Sequence, residues 1–425
     1  MVEALYQHFL ESRKISTDTR KIEPGSIFFA LKGPNFNANE FAAEALEKGA
    51  SLAVIDEEKY NTDDRFFLVD DVLLALQALA NHHRHQLSIP IIGLTGSNGK
   101  TTSKELVANV LSKKYKVCAT IGNLNNHIGV PLTLLSITED HKIAIVEMGA
   151  NHVGEIAALC KIAQPTHGFI TNIGKAHIEG FGGFEGIIRG KSELYQHLIQ
   201  SNGTVWINSQ NEILSNMAKR FKNPYFYPAK NDYYHCKLID ASPFVRIETE
   251  NQQIQTQLIG SYNFENIAVA LCIGKFFDVP APDAELAIKE YNPSNNRSQI
   301  INKESNTIIL DAYNANPSSM EKALENLNTM DANKKAVILG DMKELGESSA
   351  AEHEQIGKIL SKMSLNQIFL FGPEFEPAKQ HLPNAFYTKD KEELSKLIAE
   401  ENIQDTLLLI KGSRSMGLET ILEYV

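Results

Sequence analysis

The sequence predicts an α/β protein of three domains, and three observations carry that prediction. The chain has 425 residues, well beyond the roughly 100–200 residues over which a single core is ordinarily built. Short β-branched apolar runs alternate with helix-forming stretches along most of it, the order that a parallel sheet flanked by helices requires. Glycines and polar side chains stand directly after many of those runs, where ligands gather beyond the carboxyl ends of the strands.

Composition sets the outer limits. Hydrophobic residues make up 43% of the chain and charged residues 22%, which excludes wholesale disorder. The 41 Lys and Arg against 52 Asp and Glu leave a net charge of −11, so no nucleic-acid partner is expected and small molecules are. Cys118, Cys160, Cys236 and Cys272 are far apart with no Cys-x-x-Cys pair, so neither a zinc site nor a disulfide framework is expected, and a reducing cytoplasm fits. No run approaches the roughly 18 apolar residues of a membrane span. The 1–13 segment, with His8 and Glu11, is too polar for a signal peptide.

The first domain, small and α/β, is expected over 1–82. Strands at 26–31 and 51–55 flank a helix at 39–48 that Gly49 stops. Ahead of them Ser16, Thr17, Asp18 and Arg20 form a hydroxyl-rich stretch ending in an arginine. It suits a pyrophosphate or uracil, and equally a capped turn with a surface salt bridge. A helix at 72–80 is expected to end in the polar run Asn81-His-His-Arg-His-Gln-Leu-Ser88, read as a solvated helix end and domain boundary. His82, His83 and His85 have no acidic or cysteine partner nearby in sequence, which disfavours a metal there.

The stretch that organises the chain follows: Ile89-Pro-Ile-Ile-Gly-Leu-Thr-Gly-Ser-Asn-Gly-Lys-Thr-Thr-Ser-Lys-Glu-Leu106. A buried strand, a glycine turn and a helix starting near Lys100 make a phosphate cradle. Gly96, Ser97, Asn98 and Gly99 are expected to turn their N–H groups onto an anion, and Lys100 to reach terminal phosphate oxygens. Thr101 and Thr102 open the helix, with the Thr101 hydroxyl placed for a Mg²⁺ ion. The strict spacing needs glycine where Leu94 stands, so the assignment as a P-loop rests on context. The central domain, 83–296, is therefore expected to be a doubly wound P-loop ATPase-like sheet. Glu147 ends an apolar run and suits a Mg²⁺ ligand. His177 and Lys191, taken alone, read as a surface histidine and a solvated helix lysine.

A C-terminal Rossmann-like domain is expected over 297–425, with strands at 307–310, 336–339, 367–371 and 406–410. Polar turns follow them in Asp311-Ala-Tyr-Asn-Ala-Asn-Pro317, Gly340-Asp-Met-Lys-Glu-Leu-Gly346 and Lys411-Gly-Ser-Arg-Ser-Met-Gly417. No dinucleotide fingerprint accompanies them, so no second cofactor site is expected.

Taken together, Thr95-Gly-Ser-Asn-Gly-Lys-Thr-Thr102, Asn123-Leu-Asn-Asn-His-Ile-Gly-Val-Pro131, Glu147-Met-Gly-Ala-Asn-His-Val-Gly-Glu155, Thr171-Asn-Ile-Gly-Lys-Ala-His-Ile-Glu179, Asp311-Ala-Tyr-Asn-Ala-Asn-Pro317 and Leu339-Gly-Asp-Met-Lys-Glu-Leu-Gly346 resemble the Mur ligase family over essentially the whole chain. These are the ATP-dependent amide-forming enzymes of peptidoglycan precursor synthesis. The motifs resemble the branch that joins D-Ala-D-Ala to UDP-N-acetylmuramoyl-tripeptide. The branch adding the third amino acid typically carries Asp-Asn-Pro-Arg, which does not occur here. The sequence departs from the family where Asn37-Ala-Asn39 replaces the usual Asp-Gly-His.

The resemblance implies ATP and Mg²⁺, a cytoplasmic monomer, an acyl-phosphate intermediate and a definite site. Lys100, Lys191 and His177 become catalytic residues. Thr101 and Glu147 hold one ion, and His177 with a carbamylated Lys191 holds a second. Asn266 lies against adenine, while Arg297 and Asp311 close over triphosphate and ribose. Ser16, Thr17, Asp18, Arg20, Asn125 and Asn126 serve the nucleotide-sugar substrate, and Asn314 and Asn316 the dipeptide. Lys191 is expected at the start of a helix, where the dipole would favour a carbamate. A nucleotide-gated binding protein without ligation chemistry is the alternative. The third residue of the tripeptide, lysine or diaminopimelate, stays open.

Overall fold

The structure, a computed structural model, describes residues 1–293 and 297–425. The expected end of the central domain, at 296, therefore lies outside the described residues. Four parallel strands open the chain, in the order Ile15–Ser16, Ile27–Phe29, Leu52–Ile55, Phe66–Leu68. Ile27, Phe28, Phe29 and the whole Leu52–Ile55 strand are buried, because apolar residues cover both faces of this sheet. Phe28, Ala53 and Ile55 pack on Ala42, Ala45 and Leu46. Ile27, Phe29 and Val54 pack on Leu5, Phe9 and Leu76, in a cluster that continues without a break to Val130, Leu134 and Val146 of the central sheet.

The helix that makes this joint corrects an expectation. It runs Val72–Gln86, not 72–80, since nothing beyond Ala80 breaks it. His83 and Arg84 are buried rather than solvated. Their partners are backbone carbonyls of the central unit: Arg84 Nε donates to Ala163 O at 3.0 Å and Nη2 to Gln164 O at 3.0 Å. His83 Nε2 meets Ile137 O at 3.0 Å and Nδ1 meets the Tyr6 hydroxyl at 3.1 Å. A carbonyl only accepts, so Nε2 carries the proton and Nδ1 accepts from Tyr6. Burial pushes the His83 pKa down. The stability tied to this neutral ring is full above about pH 6.5 and is lost as the pH falls, because the unfolded chain then binds a proton that the fold disfavours. Replacing His83 with Ala is expected to cost about 1–3 kcal/mol, since it strands the Tyr6 hydroxyl, and to flatten that acid dependence. Urea unfolding between pH 7.5 and 5.5 (pH values chosen about the ordinary His pKa) reads both effects, and an unchanged pH slope would place the sensitivity in another group.

The central sheet is parallel throughout, in the order Tyr225–Tyr227, Thr204–Asn208, His167–Ile170, Ile91–Thr95, Ile143–Glu147, Val117–Ala119. The first strand, Ile91–Thr95, lies inside the sheet, so the chain winds outward on both sides of it. Its carboxyl end is the switch point where such sheets bind ligands. The Lys100–Ser112 and Asn263–Phe276 helices contribute to one core, the Glu155–Ala163 and Phe184–Gln200 helices to the other. The expected alternation does not last to the end of this unit. Lys237–Asp240, Arg246–Glu248 and Gln253–Gln255 form an antiparallel sheet, and only Ile247 and Ile254 of the last two strands are buried. That polar, apolar, polar alternation is the pattern of a one-sided sheet.

The last sheet pairs Gln299–Lys303 antiparallel to Asn306–Asp311 and continues in parallel through Leu407–Lys411, Lys335–Gly340, Gln367–Phe371 and Phe386–Thr388. All four expected strands are present, with cores on both faces. Among the described residues no helix is long and apolar enough to cross a membrane.

Candidate active site

Leu94 is fully buried in the first central strand, so the phosphate loop begins only at Gly96 and the spacing needs no glycine at 94. The loop is pressed between its neighbours. A Cβ on Gly96, at φ +148°, would lie 1.9 Å from Thr171 Oγ1, and one on Gly99, at φ +76°, 2.6 Å from Asn266 Oδ1. Neither position admits a larger residue. Asn172 grips the apex: Asn98 N donates to its Oδ1 and its Nδ2 donates to Asn98 O, both at 3.0 Å. Ser97 Oγ donates to Gly174 O at 2.9 Å. Lys100 Nζ curls over the loop to Gly96 O at 2.8 Å. Burial pushes its pKa down, the Glu147 charge holds it up, and Arg297 pushes it down again.

Glu147 is 1% exposed. Its Oε1 accepts from Asn125 Nδ2 at 2.8 Å and from Thr101 Oγ1 at 3.3 Å, while its Oε2 has no partner among the described residues. A buried carboxylate oxygen left unpaired is costly, and a cation removes the cost. With the Thr101 hydroxyl beside it, the donor set is the hard-oxygen kind that Mg²⁺ shares with substrate phosphates. These residues fit the ion.

Lys191 is also 1% exposed. Its Nζ donates to Ala150 O at 3.0 Å and lies 4.9 Å from the centre of the Phe181 ring. The helix that carries it is Phe184–Gln200, so Lys191 sits in the middle and the dipole argument fails. Burial does that work instead, pushing the amine pKa far down, helped by Lys100 and opposed by Glu155 and Glu193. His177 adopts φ +54°, and its Nδ1 bonds the Glu344 carboxylate of the third unit.

The third unit roofs the site. Asn316 Nδ2 donates to Asn98 Oδ1 at 2.8 Å, Lys175 N to Ser318 Oγ at 3.0 Å, and Lys175 Nζ to Glu352 at 2.6 Å. A cavity of about 810 Å³ lies between, lined by Ser97–Thr102 residues, Asn125, Asn126, Glu147 and His177 on one side and Arg297, Asp311, Asn314 and Asn316 on the other. Asn266 lines it with its amide engaged by Ser103 Oγ and Asn263 Oδ1, both at 2.8 Å. The Arg297 guanidinium lies 3.6 Å from the Tyr313 ring centre, its Nε buried without a partner among the described residues. Asn126 Oδ1 accepts from Ile128 N at 3.1 Å and Gly129 N at 2.9 Å, just ahead of the Gly129–Leu135 helix, and Asn316 caps Pro317–Thr329.

Ser16, Thr17, Asp18 and Arg20 do not line this cavity. Arg20 grips Asp18 in a two-pronged pair at 2.9 and 2.8 Å, which holds the Asp18 carboxyl at about 2, and its side chain is 85% exposed. That pairing makes a capped turn with a salt bridge and leaves the guanidinium exposed, open to a ligand as well. Asn39 is buried among Asn37 Oδ1 at 2.9 Å and Asp56 Oδ1 at 2.8 Å. Asp341, in one of the polar turns that follow the strands of the third unit, is buried against Lys343 and Glu374 N. The sequence reading missed Asn172, Tyr313 and Lys411, which line the cavity, and Glu344. Lys411 stands at a strand end, the signal that could have found it.

A P-loop at the switch point of one parallel sheet, closed by a second, mostly parallel sheet, defines the class of protein. Residues 94–274 match the family model of the Mur ligase middle domain, and residues 296–414 that of the Mur ligase, glutamate ligase domain. The chain belongs to the Mur ligase family. It is 34% identical to the UDP-N-acetylmuramoyl-tripeptide–D-alanyl-D-alanine ligase of Bacillus subtilis (strain 168), over 96% of this chain and 92% of that protein. The enzyme of the same name from Escherichia coli (strain K12) is 33% identical over the same shares. The crystal structure of the MurF ligase of Thermotoga maritima in complex with ADP superposes with a TM-score of 0.85, at 30% identity, covering 98% of this chain and 97% of that one.

Proposed function

We propose that the chain is an ATP-dependent ligase that joins D-Ala-D-Ala to the peptide carboxylate of UDP-N-acetylmuramoyl-tripeptide, as a cytoplasmic monomer of three units, 1–82, 83–296 and 297–425. The observation that carries this reading is one cavity under the third unit in which a phosphate loop lies beside an unpaired Glu147 oxygen. A carboxylate is a poor electrophile, so it must first be activated. One carboxylate oxygen attacks the γ-phosphorus and ADP leaves. The dipeptide amine then adds to the acyl carbon, loses a proton, and phosphate departs with the former carboxylate oxygen.

Lys100 holds the terminal phosphate from the loop side and Arg297 from the roof, offsetting the repulsion between two anions brought together. Thr101 and Glu147 hold Mg²⁺, which when bound supplies further positive charge between phosphate and carboxylate. Low proton affinity suits Lys191 to take up CO₂, since only a neutral amine does so, and the resulting carbamate would hold a second ion with His177. Asp311 and Asn266 flank the nucleoside, Asn125 and Asn126 the peptide end of the nucleotide sugar, and Asn314 and Asn316 the entering dipeptide. Ser16, Thr17, Asp18 and Arg20 serve the uridine diphosphate end. The roof keeps water from the acyl phosphate.

Incubation with ATP, Mg²⁺, D-Ala-D-Ala and the tripeptide in its lysine or diaminopimelate form, followed by mass spectrometry, tests the reading. It predicts an amide product with one ADP per bond. ATP hydrolysis with no amide from either form would favour a nucleotide-gated binding protein. Asn314→Ala is expected to raise the dipeptide KM several-fold, about what one lost hydrogen bond contributes, with the ATP KM unmoved. The reverse split would put Asn314 on the nucleotide.

A further inference from the structure

Lys411 has no part in the reaction just described, yet it lines the same cavity and is 1% exposed. It ends the Leu407–Lys411 strand in register with Asp311 on the neighbouring strand. Its Nζ reaches Asp311 Oδ2 at 2.5 Å and Asn314 O at 3.2 Å. Each contact begins a route to the phosphate loop. From Asp311, Oδ1 accepts from Ser298 N at 3.1 Å, and Ser298 Oγ meets the Tyr262 hydroxyl at 2.9 Å. Tyr262 precedes the Asn263–Phe276 helix, whose Asn266 lies against Gly99. From Asn314, the turn runs to Asn316, whose amide donates to Asn98 Oδ1 at the loop apex at 2.8 Å.

We propose that Lys411 is a positioning residue for the nucleotide. One buried side chain fixes the strand-end carboxylate and the following turn together, and through them the linker at Ser298 and the Asn316 contact close on opposite sides of the phosphate loop. An apolar residue there would leave a carboxylate facing the cavity without its counter-charge and the Asn314 carbonyl without this donor, so both routes would loosen at once. The kinetic part of this proposal rests on the ligase reading, and the binding part does not.

The test compares the full chain with Lys411→Met and Lys411→Gln, well below their melting temperatures. Calorimetry reads ADP affinity, and steady-state assays read the KM values of ATP and dipeptide. Positioning predicts that Lys411→Met weakens ADP binding and raises the ATP KM tenfold or more, while the dipeptide KM, which depends on the same Asn314 turn, rises as well. Lys411→Gln, which still offers a donor to Asp311, is expected to fall between and carries the test if the Met variant does not fold. Folded variants that differ from the parent only in melting temperature would overturn the proposal, as would a dipeptide KM that moves while ADP affinity and the ATP KM do not. Weaker ADP binding by the variants, beside a parent chain that binds ADP and forms no amide, would retain the Lys411 role while removing the ligase reading.

Discussion

Lys100→Ala is expected to lower turnover by on the order of 10²-fold or more while the chain stays folded. The side chain touches Gly96 O and Ser97 O of its own loop and contributes to no apolar cluster, so its removal opens no core cavity. What it removes is a positive charge at the point where the phosphoryl group passes from ADP to the carboxylate. The charge matters most while that group is in flight, so kcat should fall with kcat/KM, the signature of an interaction made chiefly in the transition state. Steady-state kinetics beside thermal unfolding checks both halves. Near-normal turnover would contradict the phosphate-loop assignment.

Lys191→Ala should abolish turnover to a similar degree and, unlike Lys100→Ala, should respond to small acids. A carbamate presents two oxygens where an amine presents one nitrogen, and acetate can supply such oxygens in the space that the truncated side chain vacates beside Phe181 and Ala150. Partial recovery with acetate or formate, and none with methylamine, is the expected result. Recovery with amines alone would make Lys191 a cation that contacts phosphate, and a mass measurement showing no CO₂ adduct in bicarbonate-treated protein would agree with that.

The parts of this account that rest on neighbours in sequence were legible beforehand. Ile91–Thr95 followed by Gly96 and Lys100 is a local pattern, and the fold keeps it, with the helix starting at Lys100. The strands of the third unit were legible for the same reason, each a short apolar run closed by turn residues. What could not be read depends on partners far along the chain. Arg84 looks solvated until the carbonyls of Ala163 and Gln164 arrive beneath it. His177 gives no sign of Glu344, and Asp311 none of Lys411, because each pair meets only after separate strands have been ordered in space. Lys191 was misplaced for a different reason. Gly182 and Gly183 stand before the helix, but the helix begins at Phe184, and burial, which sequence does not display, is the largest cause of the depressed amine, with Lys100 adding to it.

The central claim is that the peptide carboxylate is activated as an acyl phosphate in the cavity between the phosphate loop and the third unit. Tripeptide substrate labelled with ¹⁸O in its terminal carboxylate tests it most directly, by mass analysis of the inorganic phosphate released as the amide forms. The account predicts one labelled oxygen transferred to phosphate for each amide bond made. Phosphate carrying no label, with amide formed in normal yield, would contradict it.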